Sequence, residues 1–262
     1  GAFQSVAPVT TAHELGHKKE ASDRWLSKLA LAPSLYGHFY VEHNRGHHRW
    51  VATPQDPASS RMGESFWAFL PRTVLGSLRS AWHIERERLA KQGKSAWHIS
   101  NDNLQAWALT VVLFGALVAW LGWPVLVFLV LQGAYAASML EVVNYVEHYG
   151  LLRQQDAAGR YARCEPEHSW NSNHIVGNIL LYHLQRHSDH HAHPARRYQA
   201  LRHFGQAPQL PSGYAGMVTA AYFPPLWYAL MDHRVVTHYG GDLSRVNIHP
   251  SAREGIYRRW QG

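Results

Sequence analysis

The segment LLYHLQRHSDHHAHP, residues 180–194, holds His187, His190 and His191. Positions three and four apart lie on one side of a helix. This spacing therefore predicts three imidazoles aimed at one point. Imidazole is the commonest metal ligand and accepts zinc, copper, iron or nickel. Asp189 sits among them, where a carboxylate could orient a ligating ring. The theme recurs. His13 and His17 are spaced i, i+4 in HELGH, a pattern shared with zinc proteases, with Glu14 between them. His43, His47 and His48 follow Glu42 in EHNRGHH, and His148 follows Glu147 in NYVEHYG. The clustered histidines number nine. A tetrahedral metal site uses at most four ligands, so nine rings suit two metals with open positions, and spacing alone leaves iron, copper and zinc equally admissible.

These side chains need elements to bring them together. Residues 104–147 contain no Lys or Arg and divide at Gly122, Trp123 and Pro124 into two apolar stretches. A bilayer span needs about 20 such residues, so a two-span hairpin is expected. Of the 25 Lys and Arg, 13 precede it and 12 follow it. A hairpin puts both flanks on one side, and the positive-inside rule makes that side cytoplasmic. The second stretch ends in a polar line of Glu141, Asn144, Tyr145 and His148, and ionisable groups inside a span usually mark a site. Residues 64–103 mix Trp, apolar and basic residues, as an interfacial helix does. The segment 205–225 reads as a Pro- and Gly-rich loop followed by a membrane-facing helix start. His38 and His174 read as structural, His183 is open to a supporting or a structural role, His193 lies outside the cluster, and His233, His238 and His249 lack cluster spacing.

The expected fold is all-α: a multi-span membrane protein whose cytoplasmic helical cap holds a histidine-rich dimetal site. Residues 1–12 read as the end of a span, 13–103 as cytoplasmic with the first two boxes, 104–147 as the hairpin and 148–262 as cytoplasmic with the last boxes. The opening GAFQSVAPVT looks cut from an apolar helix, so N-terminal spans are expected to be missing. Charged residues make up 16%, below the ~25% of soluble domains. The net charge of +7 suggests an anionic surface or acidic partner. The single Cys164 excludes an internal disulfide and an iron–sulfur site within this chain.

HELGHK, EHNRGHH, NYVEHYG and LQRHSDHHA together resemble the bacterial membrane alkane 1-monooxygenases, within the histidine-box desaturases and hydroxylases. That resemblance implies two non-haem iron ions held by His13, His17, His43, His47, His48, His148, His187, His190 and His191. It also implies dioxygen-dependent terminal hydroxylation of medium-chain n-alkanes to 1-alkanols in the bacterial inner membrane, with electrons from rubredoxin and its NAD(P)H-dependent reductase. No nucleic acid is implied. Glu14, Glu42, Glu147, Asp189 and Asn144 are expected to support ligand rings. Leu140 and Leu184 are expected to line the substrate pocket, and Arg196 and Arg197 to belong to a basic docking face. The alternatives are a related oxygenase or desaturase acting on acyl or aromatic hydrocarbons, an HExxH membrane zinc protease, and a metal carrier without catalysis.

Overall fold

The protein is described here by a computed structural model covering residues 2–262, with side chains from Pro8 onward. Gly1 and the side chains of residues 2–7, part of the expected span end, lie outside the described residues. The described residues are mostly helical, with isolated bridges and no strand.

The helices in chain order are α1 (Ala2–Gly16), α2 (Ala21–Leu31) and α3 (Phe39–Val41), which runs into a π-helical turn, Glu42–His47, and then α4 (His48–Trp50). There follow α5 (Phe66–Ala90), α6 (Asp102–Leu121) and α7 (Pro124–His148). The remainder are α8 (Ile175–Leu180), α9 (His187–Ala192), α10 (Tyr214–Ala221), α11 (Pro224–His238) and α12 (Arg253–Gln261). The chain forms two compact units. The first comprises Gly1–Arg49 and Val74–Glu141, the second Trp50–Thr73 and Val142–Gly262.

In the first unit, α6 begins where Asn101 caps two free backbone N–H groups, those of Asn103 and Leu104. It stops at Gly122, whose φ of 87° only glycine adopts readily. Pro124 then supplies the first position of α7, where its missing N–H costs nothing. Both helices are long and apolar enough to cross a membrane, and Val111, Val112, Trp120, Phe128 and Leu131 are exposed on them. Exposed apolar side chains in such number mark a surface made for something other than water. The apolar core of this unit gathers Ala12, Leu31, Tyr36, Phe39, Tyr40, Val41, Ala81 and Leu140. Lys28, at the end of the basic amphipathic stretch 24–28, is buried. Its Nζ lies 2.5 Å from Asp102 Oδ1 and donates to Gln105 Oε1 at 2.5 Å. The pentapeptide SAWHI occurs twice in the sequence, at residues 80–84 and 95–99, but the first copy lies in α5 and the second in turns, which argues against a structural repeat.

His38 is also buried in this unit, its ring 4.3 Å from that of Tyr36. Burial pushes its imidazole down from 6.5 to about 4. In the unfolded chain the ring protonates near the ordinary value, so His38 contributes no pH dependence above 6.5, and stability is lost as pH falls from there toward 4. At pH 5 the loss is expected to be about 2 kcal/mol. Thermal melts of wild type and His38→Phe at pH 7 and pH 5 check it: the variant should lose less on acidification.

The second unit is pinned around the end of α7 by an aromatic cluster. Tyr145 lies 5.8 Å from Phe66, 5.4 Å from Phe69 and 5.0 Å from Trp227, centroid to centroid. Its hydroxyl donates to Glu64 O at 2.6 Å. Tyr149 donates to Asp232 Oδ1 at 2.9 Å, and the indole of Trp170 donates to Tyr149 O at 2.9 Å. Buried aromatic rings with satisfied polar ends fix both position and orientation, so the last turn of α7 and the residues after it are held firmly.

Candidate metal centre

The first unit brings five clustered histidines together. His13 and His17 stand one turn apart at the end of α1, their rings 5.1 Å apart. Ser27, on α2, ties that helix to α1 by donating to Ala12 O at 2.6 Å, and the His13 and Phe39 rings lie 6.4 Å apart, which brings the π-helical turn after α3 beside them. His43 Nε2 lies 3.1 Å from His17 Nε2 and 3.1 Å from His48 Nε2. The ligand atoms of His13, His17 and His43 lie within 4.8 Å of one another. His47 stacks on His43 at 5.3 Å, and Phe39 stacks on the same ring at 4.7 Å.

The π-helical turn was not expected. α-helical spacing predicts that His43 and His47 share a face, yet the rings of His43 and His48, five apart, are the closer pair, 4.7 against 5.3 Å. A π-turn bonds i to i+5 and widens the helix by one residue. Gly46 makes room for it: a Cβ there would lie 2.5 Å from Glu42 Oε1. The Glu42 carboxylate thus folds over Gly46, buried beside the histidine turn.

The second unit gathers the other four. His187 Nε2 lies 3.2 Å from His148 Nε2 and 2.8 Å from His191 Nε2, and the ligand atoms of these three lie within 4.8 Å of one another. All four rings, with His190, are buried. The expectation that His187, His190 and His191 converge on one point is corrected here: His190 stands 5.7 Å from His187, ring to ring. At 100° per residue, i+4 returns to within about 40° of the starting direction and i+3 to about 60° on the other side. His190 and His191 therefore diverge. The backbone enters α9 under strain, since Tyr182 and His183 both have left-handed φ values, 51° and 56°. Non-glycine residues in that region persist where the surroundings hold them.

The carboxylates expected to support the rings occupy different settings. Glu147 Oε2 lies 3.2 Å from His187 Nε2. Glu14 pairs with Lys18 at 2.6 Å. Asp189 faces arginines instead of a clustered ring: Arg196 donates to both of its oxygens, and the backbone N–H of Arg202 donates to Oδ2 at 2.9 Å. His193 Nε2 is 4.0 Å from it, and His193 is exposed. Asn144 is buried on α7. Leu140 lies in the apolar core that also contains Phe39, and Leu184 is half-buried before α9.

Three features were missed in the sequence. Arg45, inside the second box, reaches Glu85 and, at 2.6 Å, Asp102 Oδ2. Glu85, within the stretch that reads as an interfacial helix, is fully buried. Tyr214, placed in a loop ahead of a membrane-facing helix, instead opens α10, is buried, and donates to Glu147 Oε1 at 2.7 Å. An arginine between two ligand candidates was the one available signal; nothing in the sequence marked Tyr214.

The buried rings of the first unit are kept neutral. Burial holds His13 down to about 3, with further repulsion from His47 and Lys18. Burial likewise holds His17 and His43 well below the usual range. A neutral imidazole offers the lone pair a metal requires. Each unit presents a set of converging imidazole nitrogens, a donor set that fits a transition metal and leaves further positions for other ligands.

A family model described as fatty acid desaturase matches residues 1–221. The chain is 52% identical over 260 residues to an alkane 1-monooxygenase of Acinetobacter baylyi, covering 99% of this chain and 64% of that protein. It is 53% identical to alkane 1-monooxygenase 1 of Alcanivorax borkumensis, covering 94% and 61%. It is 31% identical to the hydroxylase component of a xylene/toluene monooxygenase of Pseudomonas putida, covering 87% and 60%. The chain thus spans less than two thirds of the length of these relatives. The box wording and these matches agree on a resemblance to alkane 1-monooxygenases, and the matched family model covers most of the chain: it belongs to the fatty acid desaturase family.

Proposed function

We propose that the chain is the metal-bearing part of a membrane alkane 1-monooxygenase that hydroxylates the terminal methyl of medium-chain n-alkanes. The observation that carries this reading is the pair of buried histidine clusters, taken with two alkane 1-monooxygenase relatives above 50% identity. In this reading His13, His17, His43, His47, His48, His148, His187, His190 and His191 hold two iron ions. The irons supply dioxygen activation, which a strong methyl C–H bond requires because it offers no handle to acid–base groups.

The protein's own residues have three tasks. His13, His17 and His43, held neutral by burial, bind without losing a proton first. Phe39 and the apolar core that includes Leu140 exclude water from the His43 side, and Leu140 and Leu184 line the alkane pocket. Glu42 and Glu147 place carboxyl groups close to the rings. The 13–103 and 148–262 segments form the cytoplasmic cap, α6 and α7 are the membrane hairpin, and further spans belong to the part of the relatives that this chain does not match. The site faces the cytoplasm of a bacterial inner membrane.

Iron quantification followed by product analysis tests this. The full-length protein should carry two irons per chain and convert a medium-chain alkane to its 1-alkanol with dioxygen and reduced rubredoxin. One zinc per chain and no alkanol would overturn it in favour of an HExxH protease. Rubredoxin docking is assigned to the basic cytoplasmic face. Asp189 neutralises Arg196 and reaches Arg202, so exposed Arg197 is the better probe. Arg197→Glu is expected to slow electron transfer about threefold to tenfold at low salt and to flatten its salt dependence. Stopped-flow oxidation of rubredoxin at several ionic strengths checks it.

A further inference from the structure

We infer that Glu147 is an oxygen ligand of the metal held by His148, His187 and His191, and that Tyr214 is the positioning residue that aims it. The inference rests on the iron reading above and adds a donor that the nine histidines do not include.

The first support is the side of the ring on which Glu147 stands. A carboxylate that merely orients a ligating histidine accepts a proton from the nitrogen that does not bind metal. The nitrogens that converge here are all Nε2: His187 to His148 at 3.2 Å and His187 to His191 at 2.8 Å. Glu147 Oε2 lies 3.2 Å from that same His187 Nε2. It therefore stands where the lone pairs meet, not behind the ring at Nδ1.

The second support is charge. Glu147 is 1% exposed. Its side-chain partners are the Tyr214 hydroxyl and His187, and no Lys or Arg pairs with it among the described residues. Buried carboxylates are paired with a cation or coordinate a metal. One phenol hydrogen bond does not replace a lost hydration shell, so the position calls for positive charge at Oε2.

The third support is the way Oε1 is held. Tyr214 donates to Oε1 at 2.7 Å, leaving Oε2 toward the imidazoles. Tyr214 is itself fixed, its backbone N–H donating to Gln185 Oε1 at 3.2 Å. Gln185 is fully buried and donates to His174 O at 3.1 Å. Gln185 lies two residues before His187, so the start of α10 and the start of α9 share one anchor.

The test uses the full-length protein reconstituted with ferrous 57Fe, in wild type, Glu147→Gln, Glu147→Asp and Tyr214→Phe. Gln keeps an acceptor for the Tyr214 hydroxyl but is a weak ligand. Glu147→Gln is expected to lower affinity for one of the two irons by about 100-fold and Tyr214→Phe by about tenfold, with Glu147→Asp between wild type and Glu147→Gln. The Mössbauer doublet of one iron should change while the other stays. Infrared difference spectra with 13C-carboxylate glutamate should show a carboxylate shift on metal binding that Glu147→Gln lacks. Thermal stability supplies a sign that a structural role would not give. Without metal, Glu147→Gln should be about as stable as wild type, because the amide keeps the hydrogen bond from Tyr214; with metal it should be less stable. Two irons bound at wild-type affinity with unchanged doublets in Glu147→Gln would overturn the inference. So would equal destabilisation with and without metal. If wild type itself binds no iron, the proposed function falls instead.

Discussion

His187→Ala should lose iron and alkane hydroxylation together. His187 Nε2 is the nitrogen to which both His148 and His191 Nε2 are close, at 3.2 and 2.8 Å, so its loss removes the centre of that cluster. Replacing residues that only support a metal ligand costs about 10–100-fold in metal affinity or activity; removing a ligand should cost at least about 100-fold. Iron content should fall from two to one or fewer per chain, and 1-alkanol formation should drop to the background. His193→Ala is the control. That ring is exposed and six residues away, and its loss should leave both measurements unchanged. Iron analysis and gas chromatography of the alkanol, run on membranes with matched protein levels, decide the matter. Wild-type iron in His187→Ala would remove this histidine from the ligand set.

The second large effect is expected at Glu85. Its carboxylate, fully buried, accepts from Arg45, from Arg88 Nε at 2.6 Å and from the backbone N–H of Asp102 at 2.7 Å. Glu85→Ala strands those donors. Breaking a buried ion pair costs about 3–5 kcal/mol. The two arginine side chains are about 30% exposed and can turn toward water, so about 3 kcal/mol is the better expectation. Arg45 lies between His43 and His47 in the π-helical turn, so the same change should loosen that turn and lower iron content. Glu87→Ala, two residues on and exposed, should stay within about 0.5 kcal/mol of wild type. Thermal unfolding of the three proteins, with iron counted in each, separates the outcomes. If Glu85→Ala is as stable as Glu87→Ala, the network carries no weight.

The all-helical character and the grouping of the boxes were legible because both depend on local patterns. The apolar stretches of α6 and α7 are readable by length, and their limits follow from Asn101, Gly122 and Pro124, residues whose backbone preferences are strong. Histidines four apart, as in His13 and His17, meet because helix geometry demands it. The divergence of His190 from His191 followed from the same geometry. What stayed hidden depends on contacts far apart in sequence. Glu85 looks like one more polar residue of an interfacial helix, and only the approach of Arg45 and Asp102 makes it a buried anchor. Tyr214 looks like a loop residue, and only its contact with Glu147, 67 positions earlier, gives it a task. Asp189 was expected to serve a ring because it lies between rings, but Arg196 and Arg202 follow closely and outcompete neutral imidazole for a carboxylate.

The π-helical turn has a consequence for how the second box tolerates change in length. Each residue added to or removed from an α-helix rotates everything beyond it by about 100°. A turn of i to i+5 already contains one residue more than an ordinary helix would hold. Deleting Asn44 would let the segment relax into regular coiling, with His48 then four residues after His43 and about 40° from its direction and His47 three after it and about 60° to the other side, although every box histidine would still be present. Substitutions there test chemistry, whereas a one-residue deletion tests phase: the spacing of the second box is a mechanical setting as well as a list of ligands.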